Sequence, residues 1–163
     1  MNIYPKHYIP KHLSVRDKSK QIQNLNKSRK LYKKGKYFQR PKVKSFKSKP
    51  SKHVENAKDL YNVDSIVPSK KLAKVTKCSV DTLEKIANKG RGAYYSSGSR
   101  PNQSAESWAM ARLASAITGG NSSIVDYHLL KDGCKKNSKA LKLAKKTCKK
   151  QGKCNNKKTR KNI

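Results

Sequence analysis

Acidic residues are scarce in this chain of 163 residues. Nine Asp and Glu stand against 41 Lys and Arg, so the formal net charge is +32 with histidine neutral. Hydrophobic residues are also few, at 34%, and aromatic residues make up 7%. A chain this polar cannot bury a core along its whole length. We therefore expect a small folded region and partners that carry negative charge, namely nucleic acid or acidic protein surfaces.

Long hydrophobic runs are missing as well. A membrane-spanning helix needs about 20 mostly apolar residues. The most apolar segment, residues 108–117, is too short and contains Arg112. The first residues of the sequence lack the apolar stretch of a signal peptide. We therefore expect neither a membrane span nor secretion through a signal peptide.

The sequence contains no pattern that is typical of a catalytic or metal site. Its four histidines are scattered, at positions 7, 12, 53 and 128. The four cysteines form no Cys-x-x-Cys pair, and the cysteine and histidine spacings do not match zinc sites. Paired carboxylates or a Ser–His–Asp set cannot be assembled with any specificity. We therefore expect no enzyme activity, no metal or cofactor, and no small-molecule substrate.

Two of the cysteines flank a short lysine-rich segment. Cys148 and Cys154 can close a disulfide loop in an oxidising environment, such as a finished extracellular particle. In a reducing cytosol they would stay free. We interpret Cys78 differently, as a buried thiol of the core.

Charge is distributed unevenly along the chain. Residues 1–50 contain 16 Lys and Arg and one acid, Asp17, whereas residues 51–134 contain 12 Lys and Arg and eight acids. Residues 135–163 contain 13 Lys and Arg and no acid. This division predicts a helical core domain at 51–134, a basic N-terminal arm with one helix at 1–50, and a basic C-terminal tail at 135–163. The arms need an anionic partner to become ordered, because their own burial cannot offset the entropy of ordering.

Serine residues mark several helix starts. Ser14, Ser51, Ser69, Ser79 and Ser138 stand where an N-cap hydroxyl can accept a hydrogen bond from the first turn. The predicted helices cover residues 15–33, 52–61, 70–76, 80–88, 103–118, 123–132 and 139–148. The fold class is therefore mainly α: a small multi-helix core with an extended basic N-terminal arm and a basic C-terminal tail.

Residues 70–89 permit two interpretations. Two short helices joined near Cys78 have the spacing of a helix-turn-helix, whose second helix would present Asp81 and Glu84 to DNA. Acidic side chains at that place suit phosphate poorly, and Lys77 occupies a turn position usually filled by glycine. The alternative is an ordinary helical hairpin in a small core.

Residues 90–101 form a glycine-rich stretch that predicts a long loop, in which Arg91 and Arg100 bracket Tyr94 and Tyr95. Such a loop can cradle phosphate with backbone N–H groups, while the arginines pair with its charge. It lacks the Lys-Ser/Thr pair of a P-loop, so nucleotide hydrolysis is not supported. The alternative is a structural loop whose tyrosines pack on the single tryptophan and whose arginines form salt bridges.

The basic arms contain the clearest binding chemistry. Residues 28–38 alternate cations with aromatic residues, whereas residues 135–160 contain cations and no aromatic residue. Cations pair with phosphates or carboxylates, and aromatic rings stack or fill small apolar hollows. The candidate partner-binding residues are Arg29, Lys30, Lys33, Lys34, Lys36, Tyr37 and Phe38 in the first arm and Lys145, Lys146, Lys149 and Lys150 in the tail.

Five segments of the sequence form a distinctive pattern that includes the block GRGAYYSSGSRPNQ: residues 27–35, 53–57, 89–103, 107–108 and 111–120. Over about residues 8–134 this pattern resembles a small uncharacterised domain family that is carried by large nucleocytoplasmic DNA viruses of algae and amoebae. The resemblance implies no catalytic activity and therefore no active-site residues. It implies a virally encoded protein that is packed in the virion.

These features lead to two main functional hypotheses. The first is a non-enzymatic minor structural protein on the inner face of a virion capsid, present in the host cytoplasm during assembly. In this hypothesis the basic arms tie capsid proteins together. The second is a viral DNA-binding protein that condenses or packages the genome. A third hypothesis, an RNA-associated protein, is supported by charge alone.

Overall fold

Helices account for the regular structure of this protein. The computed structural model describes residues 4–154, and in that range it contains eight helices and no strand beyond an isolated bridge between Cys78 and Cys134. This confirms the predicted fold class, mainly α. The helices are α1 (Val15–Lys33), α2 (Lys52–Tyr61), α3 (Lys70–Thr76), α4 (Val80–Ser96), α5 (Ala105–Ile117), α6 (Asn121–Val125), α7 (Tyr127–Gly133) and α8 (Lys139–Gln151).

All five predicted serine caps are confirmed. Each hydroxyl oxygen accepts a hydrogen bond from the backbone N–H three residues later, at 3.1–3.5 Å. The pairs are Ser14 with Asp17, Ser51 with Val54, Ser69 with Leu72, Ser79 with Thr82 and Ser138 with Leu141. Because a cap and its donor lie within one turn, local sequence is sufficient to predict these helix starts.

Helix α4 is longer than predicted. It continues to Ser96, so the predicted loop at 90–101 is wrong for its first seven residues. Two internal glycines cost about 1 kcal/mol each in an isolated helix. Tertiary structure offsets that cost, because Tyr94 in the last turn is buried and the carbonyl of Tyr95 accepts a hydrogen bond from the α1 hydroxyl of Ser28.

The predicted helix at 123–132 is divided into two short helices. The break lies at Asp126, the residue between the end of α6 and the start of α7, whose side chain forms no cap hydrogen bond to α7. Its buried carboxylate accepts two hydrogen bonds of 3.0 Å from the guanidinium of Arg112 on α5. This ion pair fixes the chain at the break, and no local helix signal reveals it.

The chain divides into two compact units. The first unit comprises residues 4–49 and 89–108 of the described chain, and the second unit comprises residues 50–88 and 109–154. The division therefore groups the chain differently from the predicted arm, core and tail.

The first unit corrects the prediction of an extended N-terminal arm. The Gln21 amide donates to the carbonyl of Tyr8 at 3.2 Å and to that of Ser99 at 3.5 Å. The side chain of Asn102 exchanges two hydrogen bonds with the backbone of Val43, at 2.7 and 3.1 Å. Residues 4–49 are thus folded with residues 89–108. Polar side chains hold this segment, and so its low hydrophobic content did not indicate that it folds.

The apolar core of the first unit is small and closely packed. Leu13, Leu25, Val43 and Tyr94 are all buried. Gly98 has φ +117°, and a Cβ added there would lie 2.7 Å from Cδ2 of Leu25. Only glycine therefore permits the chain after α4 to approach α1 so closely.

The second unit contains the larger hydrophobic core. Its most deeply buried residues, all 0–1% exposed, come from six helices and one connecting segment. They are Ala57, Ile66, Leu72, Leu83, Ile86, Leu113, Ala114, Ala116, Ile117, Leu130, Ala140 and Ala144.

Helix α8 gives the predicted basic C-terminal tail a buried apolar side. Ala140, Leu141, Ala144 and Cys148 recur at helical spacing and are buried, and α8 packs against α6 and α7. This apolar stripe orders the segment although it carries no acid. The rest of the predicted tail, residues 155–163, lies outside the described residues.

Candidate functional site

A cationic depression lies in the first unit, between α1 and the end of α4. Its volume is about 600 Å³. Helix α1 contributes the predicted residues Arg29, Lys30 and Lys33 to the lining. The remaining lining residues are Asn26, Ser96 and Ser97. Three cations beside two hydroxyls and an amide form a surface that is suited to a phosphate or carboxylate.

The floor of this depression is set by the C-terminal end of α4. The hydroxyl of Ser28 donates to the carbonyl of Tyr95 at 3.1 Å. Arg29 donates from Nε and Nη2 to the carbonyl of Ser97, at 3.1 and 2.8 Å. Cationic donors at a helix C-terminus satisfy its free carbonyls and complement the helix dipole. Arg29 is therefore partly committed to the fold, and it also lies 4.2 Å from the centre of the Tyr4 ring.

Arg40 completes this arrangement from a buried position. Its Nη1 donates to the carbonyl of Tyr94 at 2.7 Å and to the hydroxyl of Ser28 at 3.0 Å, and its Nη2 donates to the hydroxyl of Ser99 at 2.8 Å. Its guanidinium carbon lies 3.8 Å from the centre of the Tyr94 ring. Burial lowers the pKa of Arg40, and nearby tyrosines oppose this shift.

Sequence reasoning did not identify Arg40. It is one of 16 Lys and Arg among the first 50 residues, and nothing in its neighbourhood distinguishes it from the others. Its partners are 12–59 positions away, so only the folded chain shows its role.

The lysines around the depression remain available to a partner. Lys30, Lys33, Lys34 and Lys36 are exposed. The first unit has only two acids among its described residues, and both are engaged. Asp17 accepts hydrogen bonds from the N–H and hydroxyl of Ser45, and Glu106 accepts from Arg91. These hydrogen bonds lower the pKa of both carboxyl groups. The lysine charge is therefore not neutralised from within the unit.

Three tyrosines cluster at the end of α1 and the end of α4. The ring centres of Tyr37 and Tyr95, both predicted as site residues, are 5.1 Å apart. Tyr32 lies 6.1 Å from Tyr37 and 6.5 Å from Tyr95, and its ring is nearly parallel to that of Tyr95. The ammonium nitrogen of Lys27 lies 4.5 Å from the ring centre of Phe38, another predicted site residue. The structure thus brings aromatic rings and cations onto the same segment of chain.

Of the two interpretations of residues 90–101, the structure does not form the phosphate cradle. The first seven residues are helical, and Arg91 forms a two-point ion pair with Glu106 at 2.7 and 3.1 Å. Tyr94 is buried under Arg40, whereas Arg100 is exposed beyond the helix. Backbone N–H groups inside a helix are already used as donors, so they cannot bind an anion.

The second unit presents a separate cationic surface along α8. The predicted residues Lys145, Lys146, Lys149 and Lys150 are all exposed. With Lys139 and Lys142 they make six lysines in a helix of 13 residues that contains no acid. We call this set the α8 lysine face.

Helices α3 and α4 form the short hairpin whose spacing permits a helix-turn-helix. Lys77 lies at the turn in the left-handed conformation, with φ 56°. On the exposed start of α4, Asp81 and Lys85 form an ion pair of 2.9 Å. This ion pair has no net charge and offers little attraction to phosphate. The exposed lysines of the depression and of α8 are therefore stronger candidates for a phosphate-binding surface.

Disulfides join all four cysteines. Cys78 is bonded to Cys134 and closes a loop of 56 residues, and Cys148 is bonded to Cys154. The first bond corrects the interpretation of Cys78 as a thiol. Sequence spacing could not reveal this pair, because four cysteines permit three connectivities.

Neither metal-binding clusters nor membrane-spanning helices occur among residues 4–154. No group of three His, Cys, Asp or Glu side chains in this range is arranged to hold a metal ion. None of the helices is long and apolar enough to cross a bilayer.

Comparison with known proteins gives one match. Residues 5–132 match the model of a family of unknown function, DUF5824. The matched range includes the cationic depression and the tyrosine cluster but ends before α8. No curated protein and no solved structure matches the chain.

Proposed function

We propose, from the premise that the chain belongs to the DUF5824 family of unknown function, that it is a non-enzymatic structural protein that binds nucleic-acid phosphates. One observation carries the proposal: exposed lysines are concentrated beside the depression of the first unit and on the α8 lysine face, and within residues 4–154 none of them is in an ion pair with an acid.

The spacing of these lysines suits a phosphate backbone. Side chains three and four residues apart on a helix are neighbours at about 5–6 Å. DNA carries one negative charge per ~1.7 Å of helix axis, so a row of lysines can neutralise several phosphates and release counterions. Lysine is a point charge on a flexible stem, and phosphate contacts position a protein without reading sequence. The expected binding is therefore independent of sequence and sensitive to salt.

The folding of residues 4–49 favours one of the two main hypotheses from the sequence. A protein that ties capsid proteins together through its arms needs long extended ribbons. Among residues 4–154 the basic segments are instead folded into the first unit or into α8. Binding to phosphates needs only exposed cationic faces, and it is consequently the better supported function.

The disulfides support a protein of the finished particle, and a capsid-associated role on the inner face of a virion is therefore the second candidate. Disulfide bonds persist in oxidising surroundings, such as the surface or interior of a finished extracellular particle. Two disulfides in a chain of this size favour such a place of action. A genome-binding protein packed in the same particle, made in the host cytoplasm, is equally compatible with them.

Salt-dependent binding of the full chain to a labelled 30-base-pair duplex tests the main proposal. We compare the wild type with a variant that carries glutamine at Lys145, Lys146, Lys149 and Lys150. The matched control carries glutamine at the exposed residues Lys52, Lys70, Lys71 and Lys74, so both variants lose four charges.

The slope of log affinity against log salt changes by about 0.9 for each phosphate that the protein no longer neutralises. The α8 variant should therefore show a larger reduction of the slope than the control. Equal reductions would show that only net charge matters and would overturn the proposed surface. Absence of binding by the wild type at about 100 mM salt, where basic proteins bind DNA through phosphates, would overturn the function.

Fractionation of virus particles separates the two candidates. If the protein binds the genome, nuclease digestion of opened particles should release it. If it stays with an intact shell after the DNA is removed, the capsid-associated role is favoured and the main proposal fails.

A further inference from the structure

We infer that Tyr32, Tyr37 and Tyr95 form a stacking platform for the bases of single-stranded nucleic acid. The inference rests on the proposed function and specifies its ligand, since it predicts a preference for single strands over duplex. We call these three residues the tyrosine platform.

The platform is assembled from distant parts of the first unit. Tyr32 lies in the last turn of α1, Tyr37 follows that helix, and Tyr95 lies near the end of α4. Their ring centres are separated by 5.1–6.5 Å. The cluster thus combines two exposed rings, those of Tyr32 and Tyr37, with the half-buried ring of Tyr95.

The exposure of two of its side chains indicates that the tyrosine platform is not merely part of the hydrophobic core. Tyr37 is 70% exposed and Tyr32 is 36% exposed, whereas Tyr94, the neighbour of Tyr95, is 1% exposed. A side chain as exposed as Tyr37 contributes little buried area to the fold. Clustered apolar surface of this kind commonly marks a binding site.

Charge around the platform specifies the chemistry of the ligand. Lys33, Lys34 and Lys36 are exposed and lie between Tyr32 and Tyr37 in the chain. The cationic depression uses the same two segments. Lys33 and Ser96 line the depression, and they directly follow Tyr32 and Tyr95 in the chain. A ligand that fits both features has phosphates for the cations and planar rings for the tyrosines.

Single-stranded nucleic acid has both groups accessible at once. In a duplex the base faces are hidden in the stack, so a duplex can use only the cations. Base–aromatic stacking on protein surfaces is strong and tolerant of sequence. An acidic protein surface would satisfy the lysines but offers no repeated planar faces for the tyrosines.

The test compares binding of the full chain to a 20-nucleotide thymidine strand and to a 20-base-pair duplex. Tyr37→Leu should weaken binding to the single strand by about 5- to 150-fold, the range expected when one base has no ring to stack on. Duplex affinity should change by less than about twofold, and the salt slope should not change, because no charge is removed. Tyr37→Phe should retain binding to the single strand, since the ring remains.

Lys34→Gln provides the matched control, because this exposed residue lies on the same segment. It should weaken binding to both nucleic acids. Circular dichroism of each variant checks that the fold is retained.

The possible failures are distinguishable. If the wild type binds neither nucleic acid, the proposed function fails and the platform fails with it. If it binds both, and Tyr37→Leu weakens both equally or neither, the platform is refuted while the phosphate-binding function stands.

Discussion

Replacement of Arg40 provides the sharpest test of how the first unit is held together. This buried guanidinium donates three hydrogen bonds and stacks on the ring of Tyr94. In Arg40→Met the apolar part of the side chain is largely kept, and the charge and the donors are removed. The difference in stability between Arg40→Met and the wild type therefore reports the loss of the polar contacts rather than the loss of side-chain volume.

The expected loss of stability follows from the groups left behind. The carbonyl of Tyr94, at the end of α4, loses its charged donor, and a buried acceptor without a partner costs about 1–3 kcal/mol. The stacked cation contributes about 2 kcal/mol when it is desolvated. The desolvation cost of burying a guanidinium disappears in the variant and offsets part of these terms. We therefore expect Arg40→Met to lower the free energy of unfolding by about 2–3 kcal/mol.

Arg40→Lys distinguishes this explanation from a requirement for positive charge alone. Lysine keeps the charge but lacks the planar fork that reaches Ser28, Ser99 and the Tyr94 carbonyl together. It should therefore be at least as destabilising as methionine. Lys42→Met, at an exposed position on the same segment, is the matched control and should change stability by less than about 0.5 kcal/mol.

Urea unfolding followed by the fluorescence of Trp108 measures these effects. This single tryptophan belongs to the first unit, where its ring centre lies 6.4 Å from that of Tyr8. A free energy of unfolding for Arg40→Lys within about 0.5 kcal/mol of the wild type would refute the reasoning.

Two further predictions concern the disulfides and the response to acid. The disulfide between Cys78 and Cys134 closes 56 residues, and loop entropy predicts a loss of about 4 kcal/mol for the double serine variant. Non-reducing mass spectrometry and thermal unfolding check this, and free thiols in the oxidised protein would contradict it. Asp17 has a lowered pKa because of hydrogen bonds from Ser45. It should stabilise the fold above pH ~4 and lose this contribution as pH falls further. Asp17→Asn should flatten the acid limb of a stability–pH curve, and an unchanged limb would contradict the assignment.

Local signals in the sequence were sufficient for most of the helices. The serine caps and the apolar periodicity of α1, α2, α3 and α8 each involve residues within a few turns. The α8 lysine face follows directly from this periodicity, because the lysines occupy the positions that the buried stripe leaves open. Such features depend only on neighbouring residues, so they can be predicted from a single sequence.

Features that depend on distant contacts could not be predicted in the same way. The continuation of α4 through residues 90–96 depends on the burial of Tyr94 and on hydrogen bonds from Ser28 and Arg40. Likewise, Tyr95 joins the tyrosine platform only after the chain between it and Tyr37 has folded. Sequence reasoning identified Tyr37 and Tyr95 as site residues separately, but their proximity became visible only in three dimensions.

Arginine and lysine have different roles in this chain, and the difference bears on the kind of ligand. Arg29, Arg91 and Arg112 each donate two hydrogen bonds to a carbonyl or carboxylate of their own unit. Arg40 donates to one carbonyl and two hydroxyls of the first unit. The fork of arginine suits such fixed contacts, whereas the strongly hydrated ammonium of lysine suits a mobile surface.

Sequence-specific recognition of bases commonly uses arginine in two-point contacts with guanine. Here these four arginines are engaged within the fold, Arg16 and Arg100 are exposed, and the proposed binding surfaces consist mainly of exposed lysines. A surface built from lysine, with tyrosine rings that can stack on any base, should therefore bind nucleic acid without preference for sequence. Competition between single strands of equal length and different sequence measures this property. A difference of more than about tenfold between non-structured strands would show that base edges are read.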